Sequence, residues 1–175
     1  MEQCDATPLG IRNRAFLLLL EGTGARISEA LAFDPRDFDW DQERVNIRRA
    51  KGNKQRVVPV APEALVDTRA WLDARTKHGI SARAHICCSL RGKGISPSHG
   101  RRLVSQIAKR AGIRKRVHPH GFRHRYTIRL VRYGVPITSV QHALGHENLA
   151  TTHEYCQRIG VGPAIDDVRA MLDQE

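Results

Sequence analysis

Six side chains stand out in this 175-residue sequence because together they could break a phosphodiester bond without a metal ion: Arg26, Lys51, His120, Arg123, His146 and Tyr155. That reaction sets three physical problems. Negative charge builds on the phosphate oxygens, the departing 5′ oxygen needs a proton, and a nucleophile must lie in line with that oxygen. A guanidinium answers the first, since its planar fork donates two hydrogen bonds and stays charged. Lysine or histidine answers the second. Tyrosine answers the third, and its covalent bond to phosphorus keeps the energy of the broken linkage for rejoining.

Each of these residues has an ordinary reading beside the chemical one. Arg26, in Thr23-Gly24-Ala25-Arg26-Ile27-Ser28-Glu29, could cap a short helix or pair with Glu29. Lys51, in Lys51-Gly52-Asn53-Lys54-Gln55-Arg56, could be an ordinary turn lysine, and Lys54 is its nearest rival. His120 and Arg123 lie one helical turn apart, with His118 and His124 as neighbouring alternatives. His146 follows Leu144-Gly145, and Tyr155 comes nine residues later in Thr151-Thr152-His153-Glu154-Tyr155. Of the other tyrosines, Tyr126 and Tyr133 fall on the Arg123 helix, where core packing explains them better. His142 and His153 read as bystanders.

The elements that must hold these groups are mainly α-helical with a small antiparallel β-sheet, an α+β domain. Thr7-Pro8 reads as a cap followed by proline in the first turn, opening an apolar helix through Leu20 that Gly22 and Gly24 break. A short second helix carries Arg26, Glu29, Ala30 and Leu31, and Asp34 to Asp41 reads as a loop. Strand-like runs at Val45–Arg48 and Arg56–Val60 flank Lys51-Gly52-Asn53-Lys54, which has the Gly and Asn of a hairpin turn. Ala61 to Thr76 is predicted helical with Leu65, Val66 and Leu72 along one side, and His85 to Leu90 as a strand that buries Cys87 and Cys88. Ser96-Pro97 opens a helix ending at Gly112; Arg123 to Tyr133 forms another, stopped by Gly134; Pro136 starts one that runs to Leu144 and stops at Gly145. A short helix holds Tyr155, and Ala164 to Leu172 forms a last amphipathic segment with Ile165, Val168, Met171 and Leu172 apolar.

Composition limits the partners. With 41% hydrophobic and 27% charged residues the chain is expected to be one globular domain over residues 1–175. No apolar run approaches the ~18 residues of a membrane span. The polar, acidic start Met1-Glu2-Gln3-Cys4-Asp5 is unlike a signal peptide, so cytoplasmic residence is expected. Four cysteines, at 4, 87, 88 and 156, make neither a disulfide framework nor a zinc pattern. The net charge is +11, and from Ala74 through His146 there are sixteen Lys and Arg residues and no Asp or Glu. A one-sign stretch this long implies a counter-charge from outside, which points to nucleic acid rather than to a small-molecule substrate or a membrane, a generic basic protein being the plain alternative. A metal-dependent nuclease is disfavoured on the same ground, since the basic half offers no carboxylate cluster for Mg²⁺.

These six positions, in this order and with these flanks, resemble the catalytic domain of the tyrosine recombinases, the family that includes phage integrases. The resemblance runs from about Thr7 to the C-terminus. It implies that Arg26 and Arg123 clamp the scissile phosphate and that Lys51 protonates the leaving 5′ oxygen. It further implies that His120 assists proton movement, that His146 hydrogen-bonds a non-bridging oxygen, and that Tyr155 attacks to leave a 3′-phosphotyrosyl bond. Glu29 would support the site without reacting. The implied activity is site-specific strand cleavage and rejoining (integration, excision or resolution), with no cofactor and with self-association into a tetrameric synapse on DNA. The family's N-terminal core-binding domain has no counterpart in this sequence, so weak and salt-sensitive DNA binding is expected of it alone. The apolar face of Ala164–Leu172 could pack on its own core or on a neighbouring subunit; in relatives this region often docks on a neighbour, which is the favoured expectation on DNA. Phe122 stands where the family often has leucine, a change that packing absorbs; nothing explains Cys156 beside the tyrosine. Two other readings remain: a type IB topoisomerase, which shares the chemistry but less of the flanking sequence, and an inert DNA-binding module descended from such an enzyme.

Overall fold

The structure, a computed structural model, describes residues 4–48 and 55–145. The chain divides into two compact units, Met1–Tyr126 and Thr127–Glu175. The first holds everything needed to describe the site below.

Its first helix, α1 (Pro8–Thr23), starts where expected, with the Thr7 hydroxyl accepting from Gly10 N and Pro8 in the first turn. It runs three residues past Leu20, through Gly22. The reason is tertiary: α1 packs along α3 (Pro62–Lys77), and even a Cβ on Gly22 would make only ordinary contact there, with Ala61 Cβ at 3.4 Å. The helix ends at Gly24, whose φ of 59° is the left-handed cap that glycine adopts most easily. Helix α2 (Ile27–Leu31) follows with Arg26 as its extended N-cap residue.

The segment expected as a loop at Asp34–Asp41 is more ordered than its proline and aspartates suggest. A 3-10 turn (Pro35–Asp37) leads into β1 (Phe38–Asp39), which pairs with β2 (Arg44–Ile47), and β2 pairs with β3 (Arg56–Pro59), all antiparallel. Val45 sits opposite Val58 and Ile47 opposite Arg56, and these four side chains face inward while Val57 is exposed. The alternation is that of a half-buried sheet with one unusual member, the buried Arg56. Lys51-Gly52-Asn53-Lys54, expected as a hairpin turn, lies outside the described residues.

On α3 the buried stripe is Ala64, Leu65, Thr68, Trp71 and Arg75; Val66, expected beside Leu65, is 67% exposed on the opposite side. The expected strand at His85–Leu90 is not one. Its only ladder contact among the described residues is an isolated bridge, Cys88 to Gly94. Side chains take the backbone groups that a sheet would have used: Trp71 Nε1 donates to Ile86 O at 2.6 Å, Arg75 to Ala84 O and His85 O at 3.0 and 2.9 Å, and Arg12 to Cys88 O at 3.2 Å. Cys87 and Cys88 are buried as expected, and burial pushes the Cys87 thiol up to about 12.

Helix α4 (Pro97–Arg110) is capped by the Ser96 hydroxyl and lies against α2, where Gly100 leaves room for Ile27 and Leu31. Helix α5 (Pro119–Arg132) begins four residues before the expected Arg123, at a proline in its first turn, so His120 and Arg123 both fall in its opening turns. Tyr126 is buried as expected. Tyr133 is not: it lies just past the helix end and is 79% exposed. In the second unit, α6 (Ile137–Leu144) buries Val140 and Leu144 and stops at Gly145 in the left-handed conformation. No helix among the described residues is long and apolar enough to cross a membrane.

Candidate active site

The site grows from the sharp break between α1 and α2. Thr23 helps to make it, its hydroxyl donating to Leu19 O and accepting from Ala25 N. The chain then enters α2 with Arg26 extended, and Glu29, three residues on, turns back. Glu29 Oε2 accepts from the Arg26 N–H at 2.8 Å and Oε1 from the Arg26 guanidinium at 3.1 Å. The ordinary pairing of Arg26 with Glu29 is therefore present. It does not withdraw the side chain from solvent, since Arg26 remains 43% exposed.

The same carboxylate has a second, deeper partner. Arg56, reaching from β3, grips both its oxygens, Nη1 to Oε1 at 3.1 Å and Nη2 to Oε2 at 2.8 Å, with 4% and 9% side-chain exposure on the two partners. Burial alone would raise the Glu29 pKa. The Arg56 fork and the Arg26 N–H outweigh it and bring the carboxyl down to about 2.

Arg123 reaches the break from α5. It is 5% exposed, and its Nη1 donates to Gly24 O at 2.7 Å. One turn later the Tyr126 ring closes over Gly24, so close that a Cβ there would fall 2.3 Å from Tyr126 Cδ1. Glycine is thus required twice, for its positive φ and for this approach. A Gly24→Ala variant is expected to lose about 3 kcal/mol of stability, from the left-handed conformation and the overpacking together. The check is a lower urea midpoint at unchanged denaturant slope.

Arg26, Arg123 and His120 line one cleft of about 220 Å³ together with Arg101, His118, Ala25, Ile27 and Pro119. No carboxylate is among these lining residues. The His118 and His120 rings lie nearly parallel, with centroids 6.2 Å apart. Burial, reinforced by Arg123 and the neighbouring histidines, lowers the His120 pKa below its ordinary value. Three guanidinium groups and two imidazoles around a cleft with no carboxylate among its described lining residues form a receptor for an oxyanion such as a phosphate.

Of the expected site residues, Arg26, Glu29, His120 and Arg123 meet here; Lys51, His146 and Tyr155 lie outside the described residues. Two residues were not foreseen. Arg101 comes from α4, and no local pattern marks it among the many arginines of that half. Arg56 did carry a signal, because the alternation of β3 turns it inward, and a buried guanidinium demands a carboxylate.

Residues 1–159 match the phage integrase family. The chain is 38% identical over 148 residues to the tyrosine recombinase XerC of Xanthomonas campestris pv. campestris, a match covering 85% of this chain and 45% of that protein. It is 40% identical over 152 residues to the tyrosine recombinase XerD of Mycobacterium tuberculosis, covering 85% and 48%. The chain therefore spans about half the length of these curated relatives. Among solved structures it superposes on XerA recombinase with a TM-score of 0.77 at 30% identity, over 94% of this chain and 58% of that one. It shares its fold with the Tn1549 transposon integrase, solved with transposon right end DNA, at a TM-score of 0.75 and 18% identity, over 97% and 60%.

Proposed function

The chain belongs to the phage integrase family, and from that premise we propose that it cuts and rejoins DNA strands at specific sites, as a tyrosine recombinase. The observation that carries this reading is the cleft in which Arg26, His120 and Arg123 converge from two distant parts of the sequence, with no acid among its described lining residues.

Arg26 and Arg123 bind the non-bridging oxygens of the scissile phosphate and stabilise the charge that builds on them. The Tyr155 oxygen attacks phosphorus, the bond to the 5′ oxygen breaks, and a 3′-phosphotyrosyl ester and a 5′ hydroxyl result. His120 assists removal of the tyrosine proton, Lys51 delivers a proton to the leaving oxygen, and His146 hydrogen-bonds a non-bridging oxygen. Glu29 holds Arg26 in place. A 5′ hydroxyl from a second strand reverses the steps, so no external energy source enters the scheme. The partner is double-stranded DNA in the cytoplasm, and paired exchange requires a tetrameric synapse. The region 1–175 acts as the catalytic domain.

A nicked suicide DNA incubated with the protein in chelator tests the reading. A covalent protein–DNA adduct is expected. Binding without adduct would favour an inert DNA-binding module, and relaxation of supercoils without exchange between sites would favour topoisomerase activity.

Arg101 extends the basic lining, and its removal has a distinct expected signature. If it neutralises a backbone phosphate, Arg101→Ala weakens binding equally across DNA sequences and lowers the slope of log affinity against log salt by about 0.9. Titrations at several salt concentrations measure both. A change in sequence preference instead would make Arg101 a base reader.

A further inference from the structure

The ion pair between Arg56 and Glu29 joins β3 to the first turn of α2, where Arg26 stands. A buried pair of this kind adds little stability over a well-packed apolar pair of the same size. Its geometry, however, is restrictive. The Arg56 fork engages both oxygens of Glu29, and those same two oxygens receive the backbone N–H and the guanidinium of Arg26. Fixing the carboxylate plane therefore fixes both the start of α2 and the direction of the Arg26 side chain. Arg56 itself is absent from the cleft lining.

We infer that Arg56 is a positioning residue for strand cleavage, acting on the scissile phosphate through Glu29 and Arg26. The inference rests on the recombinase reading, and goes beyond it by assigning a role to a buried strand residue that is not among the cleft's lining residues. It also gives β3 a mechanical role, since the strand that follows Lys51 in sequence is tied to the arginine that binds phosphate.

A double-mutant cycle on the whole chain tests this. Single-turnover cleavage at saturating DNA and DNA affinity are measured for Arg56→Met, Arg26→Ala and the double variant. Misorientation of one clamping group is expected to slow cleavage about 100-fold in Arg56→Met. If Arg56 works through Arg26, the double variant is no slower and binds no more weakly than Arg26→Ala alone; costs that multiply would overturn the inference. Because Arg56→Met leaves a buried carboxylate without its main partner, Arg56→Lys serves as the variant that keeps a cation there and preserves the fold. It is expected to unfold near the wild-type temperature yet cleave about 10-fold more slowly, since an ammonium cannot reproduce the fork. Wild-type cleavage in Arg56→Lys would also overturn the inference.

A pH profile adds a readout that a merely structural role would leave unmoved. The charged groups acting on Glu29 are Arg56 and Arg26. With Arg56 present the carboxylate persists to about pH 2; with methionine there, burial pushes its pKa up and an acid limb absent from the wild type enters the cleavage profile, on top of the His120 limb common to both. Its absence in a folded Arg56→Met would count against the inference. If the wild type forms no adduct, the recombinase reading fails, and the affinity arm of the cycle still decides whether Arg56 acts through Arg26.

Discussion

Tyr155→Phe is expected to abolish the covalent adduct, by at least about 10⁴-fold in rate, while DNA affinity stays near that of the unaltered chain. Removal of a nucleophile eliminates the covalent route itself, and losses of this order or more accompany such removals in other enzymes. The chain has only three tyrosines. Tyr126 is 3% exposed and its ring lies over Gly24, packed as a core residue. Tyr133 is 79% exposed, past the end of α5, with little packing to hold it in line for attack. Denaturing gel analysis of a suicide substrate distinguishes the three: the adduct should persist in Tyr133→Phe and vanish in Tyr155→Phe. Persistence in Tyr155→Phe would refute the assignment.

Arg123→Lys is expected to lower single-turnover cleavage by about 10²–10³-fold at saturating DNA, the range for loss of a transition-state donor. The charge is retained, so the effect isolates geometry. Arg123 has to satisfy Gly24 O at 2.7 Å and present itself to the cleft at once, from a position 5% exposed. A planar fork can do both; an ammonium on a flexible stem turned toward one partner leaves the other unserved. Affinity should fall much less than rate, because the missing interaction strengthens as charge builds on the phosphate. Equal loss in both would mean that Arg123 contributes uniform binding, and the clamp would have to be assigned elsewhere.

How much of the fold and the site is legible in the sequence follows from how local each signal is. The Thr7 cap, the proline at the start of α4 and the glycine stops after α5 and α6 are written in adjacent residues, and each element begins or ends there. The start of α5 is written at His118-Pro119, and an expectation anchored on Arg123 instead of the proline places it a turn too late. The strand expected at His85–Leu90 failed for a different reason. An apolar run says that a segment is buried but not what receives its backbone, and here the acceptors are met by Trp71, Arg75 and Arg12. Gly22 misleads in the same manner, its helix-breaking tendency overruled by the packing of α1 along α3.

The sequence by itself determined the chemical inventory, its order along the chain, the helical framework and the long acid-free stretch that calls for a polyanion. Only the tertiary structure decided that Arg26 and Arg123 share one cleft with Arg101 and His118, and that Arg56 and Arg26 hold one carboxylate between them. The reason is physical: caps and turns depend on dihedral preferences of neighbouring residues, whereas a bidentate pair across 27 positions, or a guanidinium seated on a carbonyl 99 positions away, depends on which faces two elements turn toward each other after packing.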